Sequence, residues 1–200
     1  APVTLELLGA GRAVADAMHQ DLTALFIGSG VSSGAGNAFA YGADRVVVVD
    51  DARYSHYITE PYVACVAGYD AEYLPEVLLV GHTALGRDLA PRLAFRLHTG
   101  LTLDCVELKF DTPTGLLQKV KPVYGGNAVA TYVCERGRPQ MAAIRPKTMP
   151  SAQKKETGKA AVLQFAPKLE ADDVRVRYLG TEVEETTGLR LEDAASVVCG

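Results

Sequence analysis

Tryptophan is absent from this sequence of 200 residues, and cysteine and histidine occur only four times each. The cysteines are scattered, with no C-x-x-C pair, which argues against zinc or iron–sulfur ligation and favours buried free thiols in a reducing cytoplasm. The histidines show no metal-ligand spacing, so we expect each to lie at the surface or at a helix cap. These histidines are His19, His56, His82 and His98.

Long apolar runs and a strong charge of one sign are also missing. No run approaches the roughly 20 residues of a membrane-spanning helix, and residues 1–11 lack the basic start and apolar stretch of a signal peptide. The net charge of −4 is mild and argues against broad binding to nucleic acid or anionic membranes. We therefore expect a cytoplasmic protein (mitochondrial matrix in a eukaryote) with no nucleic-acid partner and no membrane insertion.

In the first half of the chain, short apolar runs alternate with helical patterns. The runs are rich in β-branched residues and suit strands that are buried on both faces of a parallel sheet. This alternation predicts an α/β fold with a doubly wound, mostly parallel sheet, nucleotide-binding-like with flavodoxin-like layering. The predicted strands are Leu22–Ile27, Arg45–Asp51 and Val77–Gly81, and the predicted helices are Val3–Met18, Tyr57–Tyr69 and Thr83–Leu97, the last interrupted by Pro91.

After Gly100 the pattern changes to strands that are joined by turns, which predicts β-hairpin additions in the second half. The later part of the chain contains further short apolar runs that read as strands. The predicted hairpins pair Thr102–Phe110 with Leu116–Tyr124 and Ala128–Cys134 with Gln140–Ile144, and the predicted late strands are Val162–Phe165, Val174–Leu179 and Ala195–Cys199.

These patterns suggest three parts of the chain. Residues 1–146 form the α/β domain, residues 147–159 form an exposed, lysine-rich linker, and residues 160–200 hold the final strands and the start of a connection to a further domain. Both ends look cut, because the first clear element is a helix, whereas a doubly wound sheet normally opens with a strand that is usually central.

A glycine-rich loop follows the first predicted strand and precedes a short helix. With Gly28, Gly30, Gly34 and an acidic residue, Asp50, at the end of the next strand, it approximates the dinucleotide-binding fingerprint. The alternative is a flexible loop that binds nothing. A second junction, Gly81–Asp88, offers a helix N-terminus suited to phosphate, but its acidic residue would repel an anion.

Two Arg-Pro steps bracket the apolar run that ends at Ile144. Proline forces the preceding residue into an extended conformation, so Arg145 before Pro146 could present its guanidinium as a fixed donor to a flavin or a carboxylate. The alternative is an arginine at a strand end that pairs with a surface acid. No serine–histidine–acid constellation is recognisable, so the sequence singles out no catalytic residues.

Along nearly its whole length the chain resembles the alpha subunit of electron transfer flavoprotein. The matching pieces are short, but they occur in the family's order at suitable spacings. They are Thr4–Arg12 (TLELLGAGR), Tyr41–Val46 (YGADRV), Thr83–Leu93 (TALGRDLAPRL), Thr99–Asp104 (TGLTLD), Gly125–Thr131 (GGNAVAT), Arg138–Pro146 (RPQMAAIRP) and Leu191–Gly200 (LEDAASVVCG).

The resemblance implies a heterodimer with the beta subunit that carries FAD and shuttles electrons between flavin dehydrogenases and an acceptor. The family's first strand and its carboxy-terminal FAD domain have no counterpart here, so this chain alone is expected to bind no FAD. Arg145 and Asn127 become the candidate contacts to a flavin held by the partner. The family often has glycine after the second Arg-Pro, where this chain has Lys147; in this substitution the chain resembles electron-bifurcating members from anaerobes.

The resemblance leaves three functional hypotheses. The first is a scaffold and heterodimer interface in an FAD-containing electron carrier. The second is a stand-alone NAD-binding oxidoreductase domain that uses Gly28, Gly30, Gly34 and Asp50. The third is an assembly module that contacts no ligand.

Overall fold

The computed structural model describes residues 2–154, 162–170, 174–182, 188 and 194–198. The helices in these residues are α1 (Pro2–Met18), α2 (Ser32–Ala35), α3 (Asn37–Ala40), α4 (Thr59–Tyr73) and α5 (Ala84–Arg96). The strands are β1 (Thr23–Gly28), β2 (Arg45–Asp50), β3 (Val77–Gly81), β4 (Leu101–Cys105), β5 (Glu107–Asp111), β6 (Leu116–Val123), β7 (Ala128–Tyr132), β8 (Gln140–Ile144) and β9 (Val162–Gln164).

Two parallel sheets form the centre of the domain, with strand orders β1-β2-β9 and β3-β8-β4. Residues Val46–Val49 of β2 are at most 2% exposed, as expected for a strand covered on both faces. Helices α1, α2 and α3 cover one face, while α4 and α5 cover the other. The predicted α/β class with parallel sheets and helices between the strands is therefore confirmed.

A third sheet is antiparallel, with the order β5-β6-β7, and packs beside β4 and β8. Gln140, which is fully buried, joins it to the parallel sheet. Its Oε1 accepts a hydrogen bond from the Leu117 N–H at 2.7 Å, and its Nε2 donates to the Gly115 carbonyl at 3.0 Å. The predicted pairing of β5 with β6 is confirmed.

The predicted hairpin of Ala128–Cys134 with Gln140–Ile144 is wrong. β8 instead lies between β3 and β4 and runs parallel to both. All five of its residues are buried, which suits a central strand and not one strand of an exposed hairpin. The predicted single strand Thr102–Phe110 is also divided, because the chain leaves the parallel sheet near Asp104, at φ 66°, and enters the antiparallel sheet as β5.

The later part of the chain departs from the sequence predictions as well. β9 confirms the strand that was predicted from Val162, but the structure has no strand at Val174–Leu179. The described residues 195–198 form no buried strand, and Val198 is 96% exposed; Leu191–Asp193 and Cys199 lie outside the described residues. Pro91 does not interrupt α5, which continues through it.

An apolar slot of about 860 Å³ separates the two parallel sheets. The backbones of β1 and β3 face it, and α1 closes one face while α4 and α5 close the other. Among the described strands, β1 pairs only with β2, and β3 pairs only with β8. Both sheets therefore present an unpaired backbone edge to the slot, which is the kind of edge that another strand can complete.

Candidate functional site

Three charged or titratable side chains meet at one edge of the second parallel sheet. Because β3, β8 and β4 are parallel, their carboxyl ends lie at the same edge. His82 directly follows β3, Arg145 directly follows β8, and Asp104 lies near the end of β4. In open α/β sheets this carboxyl edge is where ligands usually bind.

Arg145 and Asp104 form a bidentate ion pair. The Arg145 Nε donates to Asp104 Oδ1 at 2.8 Å, and Nη2 donates to Oδ2 at 2.6 Å. These hydrogen bonds lower the pKa of the Asp104 carboxyl below its usual range. The Arg145 side chain remains 41% exposed, and its Nη1 has no hydrogen-bond partner within the described part of the chain. Arg145 thus pairs with an acidic residue, as expected for an arginine at a strand end. Its Nη1 is still available to a ligand, as far as the described residues show.

His82 approaches the same carboxylate from the neighbouring strand. Its Nδ1 is 3.8 Å from Asp104 Oδ1, is buried, and has no hydrogen-bond partner among the described residues. Burial, together with the positive charges of Arg87, Lys121 and Arg145, lowers the pKa of this imidazole, which Asp104 partly opposes. The side chain is only 14% exposed, so the expectation of a surface or helix-cap position is wrong for this histidine.

Glu6 fixes the backbone that follows Arg145. This side chain on α1 is only 4% exposed, and its carboxylate accepts hydrogen bonds from three successive N–H groups. The donors are Lys147 at 3.0 Å, Thr148 at 3.1 Å and Met149 at 3.3 Å. Sequence analysis missed this role, although an acidic residue on the apolar face of an amphipathic helix is a signal of it.

Asn127 lies in the turn between β6 and β7. Its side chain is exposed and donates to the Tyr124 carbonyl at 3.0 Å. No hydrogen bond joins it to Arg145 within the described residues. The structure therefore brings Arg145 together with Asp104 and His82, and it shows no direct contact of Asn127 with this group among the described residues.

The glycine-rich loop uses its acidic residue internally. The Asp50 carboxylate accepts from the Gly30 N–H at 2.6 Å, and from the Ser32 N–H at 3.0 Å and Oγ at 2.5 Å. These bonds lower the pKa of Asp50, with the Ser32 hydroxyl as the largest cause. A ribose would have to displace them, so the geometry favours the interpretation as a loop over the NAD-binding alternative.

The start of α5 is likewise occupied by structural contacts. The Thr83 hydroxyl caps the helix by accepting from the Gly86 N–H at 3.2 Å. Asp88 accepts from the Tyr57 hydroxyl at 2.9 Å and also from the Thr59 hydroxyl. An anion at this helix start would therefore meet a carboxylate that already serves packing.

Other kinds of site find no support in the described part of the chain. It contains no group of three or more side chains that could bind a metal ion. None of its helices is long and apolar enough to cross a bilayer. At the carboxyl edge, the Arg145 guanidinium, whose Nη1 has no hydrogen-bond partner among the described residues, and the nearby ammonium group of Lys121 suit contact with a negatively charged group.

The fold and this edge define a Rossmann-like α/β domain with a positively charged contact at the carboxyl ends of its strands. A family model described as "Electron transfer flavoprotein domain" matches residues 1–170. The chain belongs to the electron transfer flavoprotein family.

Curated relatives agree with this assignment. The chain is 40% identical over 198 residues to "Electron transfer flavoprotein subunit alpha" of Thermoanaerobacterium thermosaccharolyticum, covering 99% of this chain and 60% of that protein. It is 38% identical to "Protein FixB" of Clostridium saccharobutylicum, with 99% and 59% covered. It is 33% identical to "Lactate dehydrogenase (NAD(+),ferredoxin) subunit LctC" of Acetobacterium woodii, with 98% and 47% covered. The chain thus spans about three-fifths or less of the length of these relatives.

Proposed function

We propose that this chain is the α/β domain of an electron transfer flavoprotein alpha subunit, with residues 147–159 as a connection and residues 160–200 leading to a further domain. It pairs with a beta subunit and serves as scaffold and interface in a cytoplasmic FAD-containing carrier. That carrier takes electrons from flavin dehydrogenases and passes them to an acceptor. FAD belongs to the complete heterodimer, and this chain alone binds none.

The observation that supports a flavin contact is that Arg145 Nη1 has no hydrogen-bond partner among the described residues. The Arg145 Nε and Nη2 each donate to Asp104, so the guanidinium is oriented and both N–H groups of Nη1 remain available. When bound, FAD supplies the redox chemistry, while protein groups adjust its orientation and potential. Arg145 supplies a positive charge and a donor that does not lose its proton. Asn127, in an exposed turn, is the second candidate contact.

Arg138 is a matched control for Arg145. It also precedes a proline, is 40% exposed and pairs with an acid, because its Nε donates to Glu76 at 2.6 Å. It lies before β8, however, at the opposite edge of the sheet. Each arginine-to-alanine substitution therefore removes one Arg–carboxylate pair at an end of β8. The two substitutions differ in which edge of the sheet loses the pair.

In the complete heterodimer, Arg145→Ala is expected to make the partner flavin's midpoint potential more negative. Loss of one charge-assisted hydrogen bond corresponds to about 30–60 mV for a two-electron couple. Arg145→Lys restores only part of the shift, because a point charge lacks the planar fork. Potentiometry checks the shift and size-exclusion chromatography checks assembly. Equal potentials in Arg145→Ala, Arg138→Ala and the wild type would exclude the flavin contact.

A further inference from the structure

We propose that Asp104 and His82 set the charge that Arg145 presents at the carboxyl edge, with His82 as the member of this group that responds to pH. The inference rests on the proposed contact between Arg145 and a partner-held flavin. It concerns two residues that no comparison assigns to a site, and it predicts a specific pH dependence.

The first support is that one carboxylate oxygen faces two positive or potentially positive groups. Asp104 Oδ1 accepts from the Arg145 Nε at 2.8 Å and lies 3.8 Å from the His82 Nδ1. A neutral imidazole at that distance leaves the ion pair intact. A protonated imidazole adds a positive charge that also interacts with Asp104 Oδ1. Asp104 then neutralises less of the positive charge of Arg145.

The second support is the burial of the imidazole. Its Nδ1 is inaccessible and has no partner in the part of the chain that the structure describes, so water screens its charge poorly. A hydrogen bond between the two strands fixes the backbone of His82. The His82 N–H donates to the carbonyl of Ile144, the residue directly before Arg145, at 2.7 Å. The two side chains therefore extend from directly bonded strands.

The charged groups around His82 come from every neighbouring element. Asp104 lies on β4, Arg145 follows β8, Lys121 lies on β6 and Arg87 lies on α5. From α1, Glu6 binds the backbone after Arg145. Burial, together with the positive charges of Arg87, Lys121 and Arg145, holds the pKa of the imidazole below its usual value against the opposing effect of Asp104, so protonation requires a lower pH than for a free histidine.

The first measurement is a histidine titration by NMR in the complete heterodimer, with ring-carbon labelling of histidine. His82→Gln identifies the signal. Asp104→Asn is expected to lower the pKa of His82 further, because it removes a nearby negative charge that favours the protonated form. Arg145→Gln is expected to raise it, because a positive neighbour is lost and Asp104 is left unpaired. Identical His82 titrations in these variants and the wild type would overturn the inference.

The second measurement is the flavin midpoint potential as a function of pH. As the pH falls through the pKa of His82, the wild-type potential should become more positive than that of His82→Gln, while at alkaline pH the two should coincide. Asp104→Asn should be more positive throughout. His98→Gln, an exposed histidine at the opposite edge, should follow the wild type.

The outcomes separate this inference from the proposed function. If Arg145→Ala shifts the potential but His82→Gln keeps the wild-type pH profile, only the present inference is overturned. If Arg145→Ala leaves the potential unchanged, the flavin contact fails and this inference fails with it, whatever the histidine titration shows.

Discussion

At the scale of single residues, two acidic side chains hold loop backbone in place, and one of them, Glu6, does so directly behind the candidate edge. The buried Glu6 accepts hydrogen bonds from three successive backbone N–H groups behind Arg145, and the exposed Asp50 accepts from the Gly30 and Ser32 N–H groups within the glycine-rich loop. A carboxylate suits this task because it accepts several hydrogen bonds and carries the charge that strengthens them.

Glu6→Gln is expected to destabilise the domain by about 2 kcal/mol, because an amide offers one uncharged acceptor oxygen in place of two charged ones to three backbone N–H donors. Urea unfolding measures the difference. The matched control is Glu135→Gln at an exposed site between β7 and β8, which should change the free energy of unfolding by less than about 0.5 kcal/mol. Equal effects at the two sites would show that the Glu6 hydrogen bonds contribute nothing to stability.

At the scale of elements, helix α5 lies unusually close to the end of β3. A Cβ atom added at Gly86 would stand 1.8 Å from the Gly81 carbonyl oxygen, so glycine is needed there for close packing and not for a turn. That contact positions the start of α5 directly beside His82.

Gly86→Ala is expected to destabilise the domain by about 2–3 kcal/mol, because the backbone of β3 or α5 must move to admit the methyl group. Gly34→Ala is the matched control, since a Cβ at Gly34 meets nothing within 4 Å. This substitution in α2 should increase the free energy of unfolding by up to about 1 kcal/mol. Thermal unfolding of both variants measures the two changes in stability. A neutral Gly86→Ala would show that the two elements do not pack as closely as described.

At the scale of the whole molecule, the slot between β1 and β3 is the feature that most affects how these 200 residues are expected to behave in solution. It exposes two unpaired backbone edges and the apolar side chains that line them. Surfaces of this kind promote association between chains.

The purified 200-residue chain is therefore expected to bind a hydrophobic dye, to associate in solution and to carry no flavin colour. Sedimentation velocity, dye fluorescence and the visible absorbance spectrum give the three measurements. A monodisperse monomer without dye binding would contradict the description of the slot, and stoichiometric flavin absorbance would contradict the proposal that this chain alone binds no FAD.

The sequence by itself determined the fold class, the first three strands with their covering helices, and the family. These depend on local patterns, because a β-branched apolar run such as Val46–Val49 can be buried only inside a sheet that is covered on both faces. It also marked Arg145, through the proline that follows it.

Only the tertiary structure decided where β8 lies and which residues surround Arg145. β8 pairs with β3, about 60 residues earlier in the chain, and strand pairing over such a separation leaves no mark in local sequence patterns. Asp104 and His82 gained a candidate role for the same reason, because the parallel register of three distant strands places their ends at one edge. The position of Arg145 Nη1, which has no partner among the described residues, likewise follows from that register, since Asp104 bonds to the other two guanidinium nitrogens.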